Sequence, residues 1–183
     1  MPDSPAAGDP PAAERTVWRG RFLEARVVPW GDGGEWEYVV RPGRIQAAII
    51  LAITDANEVV LVEQYRPPFG CTAIELPAGL IGDENAGEAA LASAQRELLE
   101  ETGFEADSWQ ALGEFASSAG VIGETHHFFR ASGLRRTAAG GGVGNENITV
   151  HLVPLAELSA FIAAARARGA AIDTRLLIPM LHV

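Results

Sequence analysis

Residues 82–104 of the chain, GDENAGEAALASAQRELLEETGF, carry six acidic side chains and one arginine, a net charge of −5 against −10 for all 183 residues. At helical spacing Glu97 and Glu101 stack one turn apart, with Glu100 beside them. Like charges so placed weaken an isolated helix by about 0.2–0.5 kcal/mol per pair. The repulsion is relieved when the carboxylates share divalent cations. Hard cations such as Mg²⁺ take oxygen ligands and complete their shells with substrate phosphates. The stretch therefore reads as a metal-carboxylate helix for phosphate chemistry, against the competing reading of a solvated acidic face.

The elements around it must position those carboxylates. The helix is expected from about Glu84 to Thr102, stopped by Gly103, with Leu91, Ala94 and Leu98 as its apolar stripe. Ahead of it, 47–54 (AAIILAIT) has the length and branching of a buried strand. Asp55-Ala56-Asn57 turns the chain into a strand at 58–64, which Arg66-Pro67-Pro68-Phe69-Gly70 breaks, and a short strand follows at 73–76. Strands are expected at 109–115, 125–130 and 148–154, with a flexible Gly-rich loop at 137–147. An Ala-rich helix spans 155–168, and Asp173 caps a last short helix reaching Leu181. Upstream, 16–29 gives one or two strands, 30–34 a turn and 36–41 a return strand, forming an N-terminal hairpin or meander. Strands mixed with a few helices, without regular βα alternation, indicate an α/β or α+β sandwich.

Length fits one domain with a small N-terminal subdomain. Residues 1–14, rich in Pro and Ala, are expected to be a disordered tail. The acidic balance argues against nucleic acid or an anionic membrane as partner. All fourteen basic residues are arginine, the side chain suited to bidentate phosphate contacts. Single Cys71 allows no internal disulfide framework, and no 18-residue apolar run or signal-peptide pattern is present, so a cytoplasmic location is expected. His126 and His127 alternate on a strand and cannot easily share a metal, which leaves one packed and one exposed. His151 reads as structural.

The spacing from Gly82 through Glu88 to Arg96-Glu97-Leu98-x-Glu100-Glu101-x-Gly103 resembles the box of the Nudix hydrolase family. That resemblance implies a mixed sheet between helices, with the box as loop-helix-loop. It implies that Glu97, Glu100 and Glu101 hold the metal with the carbonyl of Ala78, and that Arg96 orients the box glutamates together with Glu88. An ordinary i,i+4 pair of Arg96 with Glu100 is the alternative. The cofactor expected is Mg²⁺, with Mn²⁺ as substitute.

The flanks bear on substrate. Glu63-Gln64-Tyr65-Arg66, Glu75-Leu76-Pro77-Ala78-Gly79 and Trp36-Glu37-x-x-x-Arg41 resemble the ADP-ribose pyrophosphatase branch of that family. By this match Trp36 stacks on the base, Arg41 and Arg66 grip phosphates, and the N-terminal strands build a homodimer. Arg44 is a weaker candidate, the alternative for Trp36 is a packed strand aromatic, and Arg66 beside Pro67-Pro68 could equally be a surface residue. Asn145-Glu146-Asn147-Ile148 matches the segment that carries the water-activating base, which assigns that role to Glu146, with Glu101 or Glu100 as the alternative. Ser118-Ala119-Gly120 departs from the branch's Ser-Pro-Gly, although Gly120 and the substrate-binding candidate Glu124 keep their spacing.

The expectation is a tail at 1–14, a dimerising β subdomain at 15–44 and a hydrolase domain at 45–183. The activity expected is metal-dependent hydrolysis of a nucleoside diphosphate sugar, with ADP-ribose giving AMP and ribose 5-phosphate. The alternatives are GDP-mannose or another nucleoside diphosphate derivative as substrate, or a non-catalytic ADP-ribose sensor.

Overall fold

The computed structural model describes residues 13–82 and 87–180. In chain order the strands are β1 (Arg15–Arg19), β2 (Glu24–Trp30), β3 (Gly34–Val40), β4 (Ala47–Ala52), β5 (Glu58–Arg66), β6 (Cys71–Glu75) and β7 (Ala78–Leu80). Helix α1 (Ala90–Thr102) follows, then β8 (Phe104–Ser118), β9 (Ile122–Arg136), β10 (Thr149–Pro154), α2 (Leu158–Ala167), β11 (Ala171–Ile172) and α3 (Leu177–Met180). Short 3-10 turns cover Pro42–Arg44, Leu155–Glu157 and Thr174–Leu176. The chain divides into two compact units, Met1–Gln46 with Glu114–His126 and Ala47–Gly113 with His127–Val183.

In the first unit β1, β2 and β3 form an antiparallel meander, with Val28 opposite Trp36. Gly31 and Gly33 take positive φ in the turn between β2 and β3, where a side chain would be strained. The start of β9 joins β3 in parallel at Val39 opposite Ile122, and Val39 N donates to Val121 O at 2.8 Å. Residues 1–12 of the expected tail lie outside the described residues. Glu14, its last residue, is tied down through Arg26, Tyr38 and Arg44.

In the second unit β4 is buried along its whole length, as its continuous apolar run requires. Its residues alternate between two cores. Ile49, Leu51 and Ile53 pack with Leu61, Ile74, Leu76 and, from α2, Leu158, Ile162 and Ala165. Ala48, Ile50 and Ala52 pack with Val60, Phe129 and, from α1, Ala94 and Leu98. Burying each of these large side chains contributes about 1.5–3 kcal/mol. The small residues Ala48, Ala52 and Ala94 let α1 lie close on the sheet. This is the mixed α+β architecture expected, with a helix on each side of β4. A second sheet runs in the order β10-β5-β6-β11.

Several boundaries differ from the sequence reading. Helix α1 starts at Ala90, so Glu88 precedes it, and residues 83–86 lie outside the described residues. Leu91 is exposed, and at the start of α1 the inward position belongs to Ser93, whose Oγ donates to Leu80 O at 3.2 Å. Strand β7 was not expected, and β8 and β9 each run 15 residues because their backbone pairing continues past the apolar stretches. Asp173 caps the 3-10 turn ahead of α3 by accepting from Arg175 N at 2.7 Å, and Leu181 lies outside the described residues. Both His126 and His127 are half-buried, so neither is the exposed member of the pair expected. Glu63 joins His151, at 2.9 Å, to Arg168 and Thr72, which gives His151 its structural role.

Gly103 closes α1 in the left-handed region at φ 76°, and its N–H caps Leu99 O. A Cβ there would lie 2.2 Å from the backbone oxygen of Ala138. We expect Gly103→Ala to destabilise the protein by about 1–3 kcal/mol, read from the midpoint of urea unfolding.

Candidate active site

Helix α1 commits Ala94 and Leu98 to the core, and its carboxylates run from buried Glu101, in line with that stripe, round through Glu97 to Glu100. Arg96 binds two of them, and Glu88 ahead of the helix. Its Nη1 donates to Glu97 Oε1 at 2.8 Å and to Glu100 Oε2 at 3.1 Å, while Nη2 reaches Glu88 Oε2 at 3.4 Å. Arg96 thus touches Glu88 as well as both helix glutamates, and its contact with Glu100 is the i,i+4 pair. Burial disfavours its charge, but the ion pairs with Glu88 and Glu97 outweigh this and hold the guanidinium as a cation.

Glu101 is different. Its side chain is buried, and Oε2 accepts from the backbone N–H of Ala78 at 3.0 Å. Burial pushes its pKa up to about 8. The Ala78 N–H and Arg66 act against this shift, while the charges of Glu97 and Glu146 add to it. The site thus holds more negative charge than Arg96 and Arg66 neutralise.

Strand β7 brings Ala78 to Glu101 and also lies against Glu97. A Cβ on Gly79 would fall 1.9 Å from the Glu97 carboxyl. Only a glycine lets the β7 backbone approach that carboxylate so closely. The clash is with the far end of a flexible side chain. We therefore expect Gly79→Ala to keep the fold but swing Glu97 away, weakening divalent-cation affinity by about 10–100-fold in calorimetric titration.

The Gly-rich loop was expected to be flexible. Its backbone instead caps α1. Gly141 N donates to Glu101 O at 2.8 Å and Gly142 N to Glu100 O at 3.0 Å, while Thr137 N and Ala138 N bond Gly103 O. The last carbonyls of a helix lack donors within the helix, and this loop supplies them. Gly140, Gly141 and Gly142 all have positive φ, which aims successive N–H groups at the helix end. The loop then folds back on itself, with Ile148 N donating to Gly141 O at 3.0 Å. Glu146 Oε2 accepts from Val143 N at 2.8 Å, and Gln64 Nε2 reaches the Glu146 carbonyl at 3.4 Å. An open cleft of about 520 Å³ lies there, lined by Gln64, Tyr65, Pro67, Asn145, Glu146 and Asn147. It opens because β10 begins at Thr149, opposite Glu63, while β5 runs on to Arg66.

Arg66, expected as a phosphate contact, is gripped by buried Glu75 through Nε at 2.6 Å and Nη2 at 2.8 Å. Arg175 Nη2 reaches the same carboxylate at 3.3 Å. The other binding candidates gather on the first unit. Trp36 stands partly exposed on β3, its Nε1 donating to Gly120 O at 3.1 Å and its ring 5.3 Å from that of Trp30. Arg41 Nε donates to Glu124 Oε2 at 2.8 Å. Arg44, the weaker candidate, pairs with Glu14 at 2.6 Å.

Among the described residues no three His, Cys, Asp or Glu side chains form a ready chelate. The carboxylates are held by Arg96 and by the Ala78 N–H. The donor set nonetheless suits a hard divalent cation: carboxylate oxygens only, among them those of Glu101, whose pKa burial raises and a bound cation would lower. Glu97, Glu100 and Glu101 would hold it. The glycines 79, 141 and 142 were missed as positioning residues. Their only signal is the LPAG and GGG runs themselves.

A family model described as NUDIX domain matches residues 43–174. Over 143 residues the chain is 36% identical to a methanol dehydrogenase activator of Bacillus methanolicus, covering 76% of this chain and 74% of that one. Over 126 residues it is 33% identical to an ADP-ribose pyrophosphatase of Bacillus subtilis strain 168, covering 67% of this chain and 65% of that one. A crystal structure of an ADP compounds hydrolase superposes with a TM-score of 0.70 at 23% identity, covering 93% of this chain and 91% of that one, and it establishes the fold. The family match and the identity to these relatives together assign the chain to the Nudix hydrolase family.

Proposed function

We propose that the chain hydrolyses the pyrophosphate of a nucleoside diphosphate sugar, with Mg²⁺ as cofactor and ADP-ribose as the leading substrate. The observation that carries this reading is the buried Glu101 beside Glu97 and Glu100, on a helix whose C-terminal carbonyls hold the loop of Glu146. The kinship with an ADP-ribose pyrophosphatase supports the substrate class. When bound, the cation neutralises phosphate oxygens and lowers the pKa of a bound water. Glu97, Glu100, Glu101 and the Ala78 carbonyl would be its ligands. Glu146 takes the proton of the attacking water at its carboxylate. Arg41 and Arg66 hold phosphate oxygens, and Trp36 offers its ring to the base.

Residues 15–44 serve as the dimerising subdomain and 45–183 as the hydrolase domain. The exposed Trp18, Phe22 and Trp30 support a homodimer, since solvent-facing aromatics mark association surfaces. No helix is long and apolar enough to cross a membrane among the described residues. The single Cys71 suits a reducing cytoplasm.

Digestion in ¹⁸O-labelled water with Mg²⁺ tests this. We expect ADP-ribose to yield AMP and ribose 5-phosphate, with the label on one product, faster than GDP-mannose or a dinucleoside polyphosphate. A preference for another sugar nucleotide replaces the substrate. Tight binding without turnover removes the hydrolase reading.

A further inference from the structure

On the first unit, β3 and β9 meet in parallel with Val39 opposite Ile122. Two residues on from that pair stand Glu124, on β9, and Arg41, one residue past the end of β3. Glu124 and His126 are also two apart on β9 and share a face. Arg41 Nε donates to Glu124 Oε2 at 2.8 Å, and His126 Nε2 lies 3.1 Å from Oε1. One carboxylate is thus held at both oxygens, by the arginine on one side and the imidazole on the other. Burial raises the pKa of Glu124, but the hydrogen bonds from His126 and Arg41 outweigh it and keep the carboxylate ionised. An ionised carboxylate only accepts hydrogen bonds, so the hydrogen on the imidazole contact belongs to Nε2 of His126.

The backbone of Arg41 is fixed as well. It precedes Pro42 and lies extended at φ −79° and ψ 142°, the conformation a following proline enforces. The remaining freedom is rotation of the side chain, which the Nε contact removes. Arg66 is gripped through Nε and Nη2 together. Arg41 is held through Nε alone, which leaves its Nη1 and Nη2 pair outside the Glu124 contact. That pair is the fork with which an arginine binds two oxygens of a phosphate.

We infer that His126 is a positioning residue: by fixing Glu124 it orients the guanidinium of Arg41 toward an anionic group of the substrate. This rests on the reading of Arg41 as a phosphate contact. His126 touches no substrate itself. Its loss lets the Glu124 carboxylate rotate, and Arg41 follows, so binding suffers and chemistry does not.

A double-mutant cycle under saturating Mg²⁺, with the best substrate of the panel above, tests the coupling. Arg41→Ala should raise KM by about 10-fold or more, and His126→Ala by about 5–10-fold with kcat within about twofold. His126→Gln, which retains a donor, should restore KM to within about twofold of the parent. In the Arg41→Ala background His126→Ala should add nothing. His126→Leu, which fills the same space without a donor, carries the same test if the alanine variant does not fold. An unchanged KM in the alanine or leucine variant, no rescue by glutamine, or a full effect persisting without Arg41 overturns the inference. If Arg41→Ala itself leaves KM unchanged, the phosphate role of Arg41 fails instead, and the positioning role falls with it.

Discussion

Glu101→Gln should abolish divalent-cation-dependent turnover, lowering kcat/KM by more than about 10³-fold, or about 4 kcal/mol of barrier, while the fold survives. The fold survives because glutamine keeps an oxygen that can accept from Ala78 N–H, the bond that joins α1 to β7. Activity is lost because a neutral amide cannot supply the negative charge on which a hard cation depends. Stability should move the opposite way. Without metal, burial holds the Glu101 proton in the folded protein up to about pH 8, whereas the unfolded chain releases it near the ordinary value of 4.5. The folded state therefore binds more protons between those values, and stability falls as pH rises through the window. In the presence of a chelator, Glu101→Gln should lose that slope and unfold at higher urea than the parent at pH 8. Urea titrations at pH 5 and pH 8 read this directly. A variant that stays active, or that shows the parent's slope, removes Glu101 from its assigned place. Both outcomes together would make the buried carboxylate an instance of stability given up for function.

What the sequence made legible was local. The stripe of Ala94 and Leu98, the stop at Gly103 and the buried run of β4 all follow from periodicity and side-chain type over a few residues. What it concealed depends on residues far apart in the chain. Gly79 matters because Glu97, 18 positions later, lies over it, and no spacing rule announces that contact. Nothing near Arg66 in the sequence announced that Glu75, across a strand pair, fixes its guanidinium. The GGG run suggested mobility by composition, because glycine permits many conformations. The fold uses the same permissiveness to select one, in which N–H groups meet the carbonyls of Glu100 and Glu101. Leu91 was assigned inward because its spacing fits the stripe, but α1 begins only at Ala90, and so near the helix start the side chain remains exposed.

That loop geometry sets the second large effect. Glu146→Gln should lower kcat by about 10²–10⁴-fold, the usual contribution of a positioned general base, with KM changed by less than about threefold. The loop should keep its shape, since the amide oxygen of glutamine can still accept from Val143 N, now bonded to Glu146 Oε2 at 2.8 Å. The Gly141 and Gly142 bonds to the end of α1 do not involve the side chain at all. Cation binding should also persist, because Glu97, Glu100 and Glu101 are untouched, and this separates the variant from Glu101→Gln. Stopped-flow turnover together with calorimetric Mn²⁺ titration distinguishes the two classes. If kcat falls and Mn²⁺ affinity holds, the proton goes to Glu146. If kcat is unchanged, the base must be a carboxylate already on α1, either Glu100, which pairs with Arg96, or Glu101. Glu101 is the harder of these to credit. A carboxylate that serves as cation ligand has its lone pairs committed, whereas Glu146 stands exposed on a loop fixed to the same helix. The two roles are better served by two side chains, one buried and ligating, the other solvent-facing and basic, held in register by the backbone of Gly141 and Gly142.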